Sequence, residues 1–133
     1  MSLEQFKTLY WTGLKKLMVG LIEAGITPHP FFEGGYESRL EIIRDIPAGK
    51  AMYWFERTDM VKAKKILGDR VCIRGNVPAS SLCTGSPGEV AAYCKKLINE
   101  VGKGGGFILD GAVGIPDEAR PENVKAMGES VRQ

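Results

Sequence analysis

The chain has 133 residues, of which 44% are hydrophobic and 26% charged, with a net charge of +2 and a single histidine. That length holds one domain with a core, and the proportions exclude a disordered or collagen-like chain. The small, scattered positive balance gives no reason to expect a nucleic-acid partner, and one histidine excludes a multi-histidine metal site.

Residues 3–24 read as a long amphipathic helix. Phe6, Leu9, Tyr10, Leu14, Leu17, Met18 and Leu21 recur at three- and four-residue steps, and Gly25 is placed to end it. Residues 26–32, ITPHPFF, read as a first strand bounded by Gly25 and Gly34, although two prolines are unusual in a central strand. Residues 36–46 carry a weaker helical pattern that Pro47 closes. KAMYWF at 50–55 is the second strand, ending in Glu56 and Arg57. Thr58 is placed to cap a helix with Met60, Val61, Ala63, Ile66 and Leu67 on its buried face, and Gly68 ends it.

The stretch 70–90, RVCIRGNVPASSLCTGSPGEV, reads as the third strand and its sequel. Val71, Cys72 and Ile73 form the strand, Gly75-Asn76-Val77-Pro78 a turn, and a polar loop follows. Ser86-Pro87-Gly88-Glu89 then opens a helix, with Ser86 as cap, Pro87 at a position that needs no N–H, and Glu89 closing a capping box. That helix, 87–101, buries Val90, Ala91, Cys94, Leu97, Ile98 and Val101. Gly102 to Gly106 turn the chain into a fourth strand at Phe107-Ile108-Leu109, ending at Asp110-Gly111. Pro121 opens a last helix carrying Val124, Met127 and Val131.

The fold class is therefore α/β, a helix followed by four strand–loop–helix units. Strands alternating with helices imply a parallel sheet with right-handed crossovers, and nearly all-apolar strands imply that both faces are covered. A small doubly wound sheet and half of an eight-stranded barrel fit this order equally. Cys72, Cys83 and Cys94 lack C-x-x-C spacing and point to thiols in a reducing compartment. No apolar run reaches membrane-spanning length, so a cytoplasmic location with no membrane partner is the expectation.

Three motifs carry a resemblance. GNVPASSLCTGSPGEV resembles the G-N-x-x-P…L…G-T-P-E-E-V stretch of the uroporphyrinogen decarboxylase superfamily. GGGFILDGAVGIPDEARPENVKAM is similar to its last strand, loop and helix, and Asp59…Ala63-Lys64…Leu67-Gly68 to its D-x-x-x-A-K-x-x-L-G helix. The motifs occur in order and span nearly the whole chain. The resemblance implies a TIM-type (β/α)₈ barrel of which residues 1–133 are the C-terminal half, strands five to eight. It therefore implies a fragment, inactive alone, whose free strand edges and apolar interior favour self-association of the half barrel.

Loops after the strands build the site in such barrels. That nominates Glu33, Glu56 and Asp110 as catalytic carboxylates, and Arg74, Asn76 and Tyr36 as substrate-binding groups. The decarboxylase proper, a cofactor-free enzyme of porphyrin biosynthesis acting on an acidic tetrapyrrole, carries a histidine in its last loop. Here that loop reads Ala112-Val113-Gly114-Ile115. The corrinoid-dependent methyltransferase branch implies zinc, held by a His-x-Cys after strand five and a Cys in the last loop. The matching positions are Phe31, Glu33 and Val113, which leaves Glu33 as the one ligand.

The sequence thus departs from both patterns. The expected activity is methyl transfer from a small donor, such as an aromatic methyl ether, to a corrinoid held by a partner protein. Phe31, Phe32, Tyr36, Tyr53, Trp54 and Phe55 suit an aromatic substrate, and barrel packing explains them equally. The alternatives are porphyrinogen decarboxylation and a non-enzymatic half-barrel module. His29, between two prolines, reads as a packed or edge histidine. Cys72 and Cys94 read as core thiols, leaving Cys83 as the one cysteine worth testing for metal.

Overall fold

The computed structural model describes residues 1–132. A continuous helix, α1, covers residues 3–23, and Ser2 caps it. Its hydroxyl accepts from the Gln5 N–H at 3.1 Å while the Gln5 side chain accepts from the Ser2 N–H at 2.9 Å. Between Phe6 and Trp11 the helix is π-wound. The N–H and the hydroxyl of Thr12 both donate to Lys7 O, five residues back, and this widens the turn.

The remaining elements are β1 (Phe31–Phe32), a 3-10 turn (Glu37–Arg39) running into α2 (Leu40–Ile43), β2 (Met52–Phe55) and α3 (Met60–Leu67). They continue with β3 (Cys72–Val77), α4 (Ala79–Thr84), α5 (Pro87–Glu100), β4 (Phe107–Gly111), α6 (Pro121–Glu129) and a final 3-10 turn (Ser130–Arg132). All four strands are parallel and stand in chain order, β1-β2-β3-β4. Among the described residues no helix is long and apolar enough to cross a membrane.

The two faces of this sheet are unlike. Phe32, Tyr53, Phe55 and Ile73 point into the helical layer and are fully buried. Each is worth about 1.5–3 kcal/mol over an exposed side chain. Tyr53 also places its hydroxyl on Ile43 O at 2.7 Å, so the buried phenol is satisfied, and burial pushes its pKa well above the ordinary tyrosine value. The opposite face has no layer over it. Phe31 and Ile108 stay 39% and 41% exposed there.

Several elements differ from the sequence expectations. The strand expected over 26–32 is regular only at Phe31–Phe32, because Pro28 and Pro30 have no N–H to give. Their carbonyls still accept from Met52 and Trp54 at 3.1 and 3.0 Å. Thr58 does not cap α3. Asp59 does, accepting from the N–H groups of Val61 and Lys62, while the Thr58 hydroxyl accepts from the Tyr36 N–H at 2.9 Å.

The expected turn at Gly75-Asn76 is instead the body of β3, joined through a cis peptide bond. Glycine is required there for packing, since a Cβ at position 75 would lie 2.5 Å from Phe55 O on β2. The polar loop after Pro78 is a helix, α4, held by one buried side chain from far along the chain. Asn123, fully buried, donates its amide to the carbonyls of Leu82 at 3.0 Å and Gly85 at 2.9 Å, with Ser81 O at 3.3 Å. The asparagine of the E-N-V motif thus closes the end of a helix. The capping box at Ser86 and Glu89 forms as expected.

Asn123→Ala strips the donor from those carbonyls and is expected to lower unfolding stability by about 1–3 kcal/mol. Urea denaturation followed by circular dichroism measures it, and an unchanged midpoint would refute the assignment of α4 to this side chain.

Candidate active site on the open sheet face

Strand pairing sets one residue from each strand at a common level. Phe31 faces Trp54, Trp54 faces Arg74, and Arg74 faces Ile108. These four side chains run across the uncovered face. Phe31 and Trp54 lie with ring centroids 4.7 Å apart. The Trp54 indole crosses β3 beside Gly75, and its Nε1 donates to Gly111 O at 3.0 Å.

Arg74 is held on every side. Its guanidinium sits 4.1 Å above the Trp54 ring, and its Nε donates to Asp110 Oδ2 at 2.6 Å, with Nη2 on the same oxygen. The other Asp110 oxygen accepts from the Gly111 N–H at 2.6 Å. Arg74 Nη1 reaches 3.5 Å from His29 Nε2. Partial burial, with the Arg74 charge adding to it, lowers the His29 pKa from its ordinary value, and Asp110 opposes the shift. His29, expected to be a packed or edge histidine, lies just before the edge strand β1. The available signal was strand alternation, which sets residue 29 on the same side of β1 as Phe31.

Glu56 and Asn76 point elsewhere. The Glu56 carboxylate accepts from the Gly34 N–H at 2.6 Å, pinning the loop after β1 to the end of β2. Asn76, nearly buried, donates to Thr58 O at 2.8 Å and lies 3.4 Å from the Tyr93 hydroxyl. Both line a cavity of about 580 Å³ between the start of α3 and α5, together with Thr58, Lys96 and Ala112. Neither Arg74 nor Asp110 lines that cavity.

Tyr36 does not join the rim. It is 7% exposed, packed against Phe6, Phe32 and Phe55, and burial raises its pKa. The Glu33-Gly34-Gly35 loop after β1 turns back toward the core and carries Tyr36 there. Glu33 remains in solvent at the end of β1. Among the described residues no three His, Cys, Asp or Glu side chains gather as a metal-binding set. These residues therefore do not by themselves fit the zinc that the resemblance implies, and Glu33 supplies one ligand at most. Cys94 is buried and Cys72 and Cys83 half-buried, all free thiols.

The architecture is that of half a TIM barrel, with charged groups at the carboxyl ends of its parallel strands. The family model for uroporphyrinogen decarboxylase (URO-D) matches residues 1–133, and the chain belongs to that family. A uroporphyrinogen decarboxylase of Methylococcus capsulatus is 30% identical over 110 residues, which is 82% of this chain and 31% of the relative. One from Chlorobium phaeovibrioides is 33% identical over 78 residues, 56% of this chain and 22% of the relative. Among solved structures a methyltransferase from Methanosarcina mazei superposes with a TM-score of 0.51 at 15% identity, over 96% of this chain and 51% of its own. The matches thus span 22% to 31% of the curated relatives and about half of the solved chain.

Arg74→Gln removes one of the two influences that depress His29. The His29 pKa is then expected to rise toward its ordinary value, read by NMR titration of the single imidazole. The sign for stability follows from the same shift. The unfolded chain takes up this proton first, so His29 costs stability as pH falls through the ordinary histidine range, and less so in the variant.

Proposed function

We propose that residues 1–133 are the C-terminal half of an enzyme that moves a methyl group from a small aromatic methyl donor to a corrinoid carried by a partner protein. The character of the open face supports this reading. Across its common level stand two aromatic rings, an aliphatic side chain and one cation, and that cation is already neutralised by Asp110. An acidic tetrapyrrole needs cations free to meet its carboxylates. A methoxylated ring needs apolar surface to lie on, and Phe31 and Trp54 offer it.

In such a transfer the bond from oxygen to methyl breaks as the methyl passes to the acceptor, and the leaving oxygen takes a proton. That proton comes from water at the open rim, since Asp110 is held as the carboxylate that meets Arg74 and Glu56 faces the cavity behind the sheet. Asp110 is fixed by Arg74 and by the Gly111 N–H, and Glu56 by the Gly34 N–H. Asn76 orders the neighbouring loop through Thr58 O. The chain alone is expected to bind without turning over, because half the rim lies outside these residues. Cofactor-free decarboxylation of a porphyrinogen is the second reading, and the names of the curated relatives favour it.

Binding separates the two. Methoxybenzene is expected to quench the fluorescence of Trp54, with the signal absent in Trp54→Phe, whereas uroporphyrinogen leaves it unchanged. Saturable porphyrinogen binding that weakens about tenfold or more in Arg74→Ala would favour decarboxylation and overturn the methyl-transfer reading.

A further inference from the structure

Among the described residues one buried side-chain donor has no acceptor. Trp11 is 3% exposed, and its Nε1–H is left unmet. A buried N–H in that state costs about 1–3 kcal/mol, so native proteins seldom leave one unexplained. The ring lines a cavity of about 590 Å³ between α1 and Asp45, just past α2. Two adjacent rows of α1 make its wall: Lys7, Trp11, Lys15, Val19 and Glu23 at four-residue steps, and beside them Thr12, Lys16 and Gly20. Lys15 reaches Asp45 Oδ2 at 2.6 Å, so this flank of α1 faces α2 and is walled by residues of this chain. Leu9 and Leu17, which stand exposed, lie outside the cavity, and neither a strand edge nor the uncovered sheet face contributes to it.

The charges along this wall are unevenly placed. Lys7 stands one turn before Trp11 and Lys15 one turn after it, so the indole falls in a row between two ammonium groups. Asp45 neutralises Lys15, whereas Lys7 and Lys16 have no ion-pair partner among the described residues. Glu23 closes the far end of the row, and its charge keeps an anion toward the Lys7 end. The π-wound stretch Phe6–Trp11 ends at this indole. Thr12 spends both its N–H and its hydroxyl on Lys7 O, which leaves the indole as the donor to spare. Single wide turns of this kind gather at functional sites. In the middle of the cavity Val19 supplies apolar surface, and a Cβ at Gly20 would meet nothing within 4 Å, so the bare glycine leaves the space open.

We propose that this cavity binds a small aliphatic carboxylate. Its oxygen accepts from Trp11 Nε1–H, Lys7 and Lys16 meet its charge, and its hydrocarbon end lies on Val19 over Gly20. The orphan donor calls for an acceptor, and the unpaired ammonium groups call for an anion. The apolar middle favours a hydrocarbon body over a bare ion. The assignment is independent of the reaction performed at the sheet.

The chain holds two tryptophans, so a nitrogen-labelled sample gives two indole N–H peaks by NMR, and Trp54→Phe tells which belongs to Trp11. Titration with sodium butyrate, against sodium chloride at equal ionic strength, is expected to move the Trp11 peak downfield. The shift is expected to saturate with a Kd of about 1 mM while the Trp54 peak stays in place. Lys7→Gln is expected to weaken binding about tenfold. Gly20→Leu fills the cavity from a position with room for a side chain, and is expected to abolish the shift with the circular dichroism spectrum retained. A Trp11 peak that stays still in butyrate overturns the proposal, as does a shift that survives Gly20→Leu. So does inorganic phosphate moving the peak at the same concentrations, which would make the site one for bare anions.

Discussion

The open face depends on the close approach of β2 and β3 at Gly75. A single methyl group there would collide with Phe55 O, so the strands could not keep their register at the level where Trp54, Arg74 and Ile108 align. With that register kept, the Trp54 indole lies across β3 beside Gly75 and donates to Gly111 O on β4. That indole is the surface on which Arg74 stacks. An arginine on a sheet face is costly unless its charge is met, and here an aromatic ring below and Asp110 beside it meet it. The chain of dependence runs from an absent side chain to a placed ring, from the ring to a fixed cation, and from the cation to an oriented carboxylate.

The cluster and the cavity divide the work that a rim usually concentrates in one place. On the face, groups are locked by strand register and by mutual contact. Behind the rim, Glu56 and Asn76 act on backbone, tying the loop of one unit to the next. These ties span about 20 residues each, so they order the loops before any ligand arrives. A family with this scaffold can change its chemistry by changing the face while leaving the ties in place. The absence of a last-loop histidine and of a thiol set in this chain fits such a division.

Order and type of the main elements were legible in the sequence because each strand is an apolar run with a polar stop, and the helices carry caps. Ser86-Pro87-Gly88-Glu89 reads correctly because its chemistry is local. What failed depended on distant partners. Gly75-Asn76 looks like a turn from composition, and only the neighbouring strand reveals why glycine is needed. Residues 79–84 look like a polar loop because the residue that closes their carbonyls is Asn123, about forty positions away. The strand ends placed Arg74 and Asp110 near each other. The same reasoning set Tyr36 on the rim, whereas the loop after β1 turns inward and buries it; His29 stands at the edge strand as expected and also meets Arg74.

Pro28 and Pro30 carry one more consequence. The segment leading into β1, Pro28 to Pro30, is held to β2 by acceptors alone: its two prolines receive hydrogen bonds and return none. The attachment of this segment is recorded in the amide protons of Met52 and Trp54, and hydrogen exchange there reports the opening of a segment whose own prolines have no proton to exchange. β1 is a two-residue edge strand, and the imidazole that faces Arg74 stands just before it. The least tethered strand of the sheet thus carries one wall of the site, which makes local unfolding and the assembly of the histidine–arginine–aspartate group a single equilibrium.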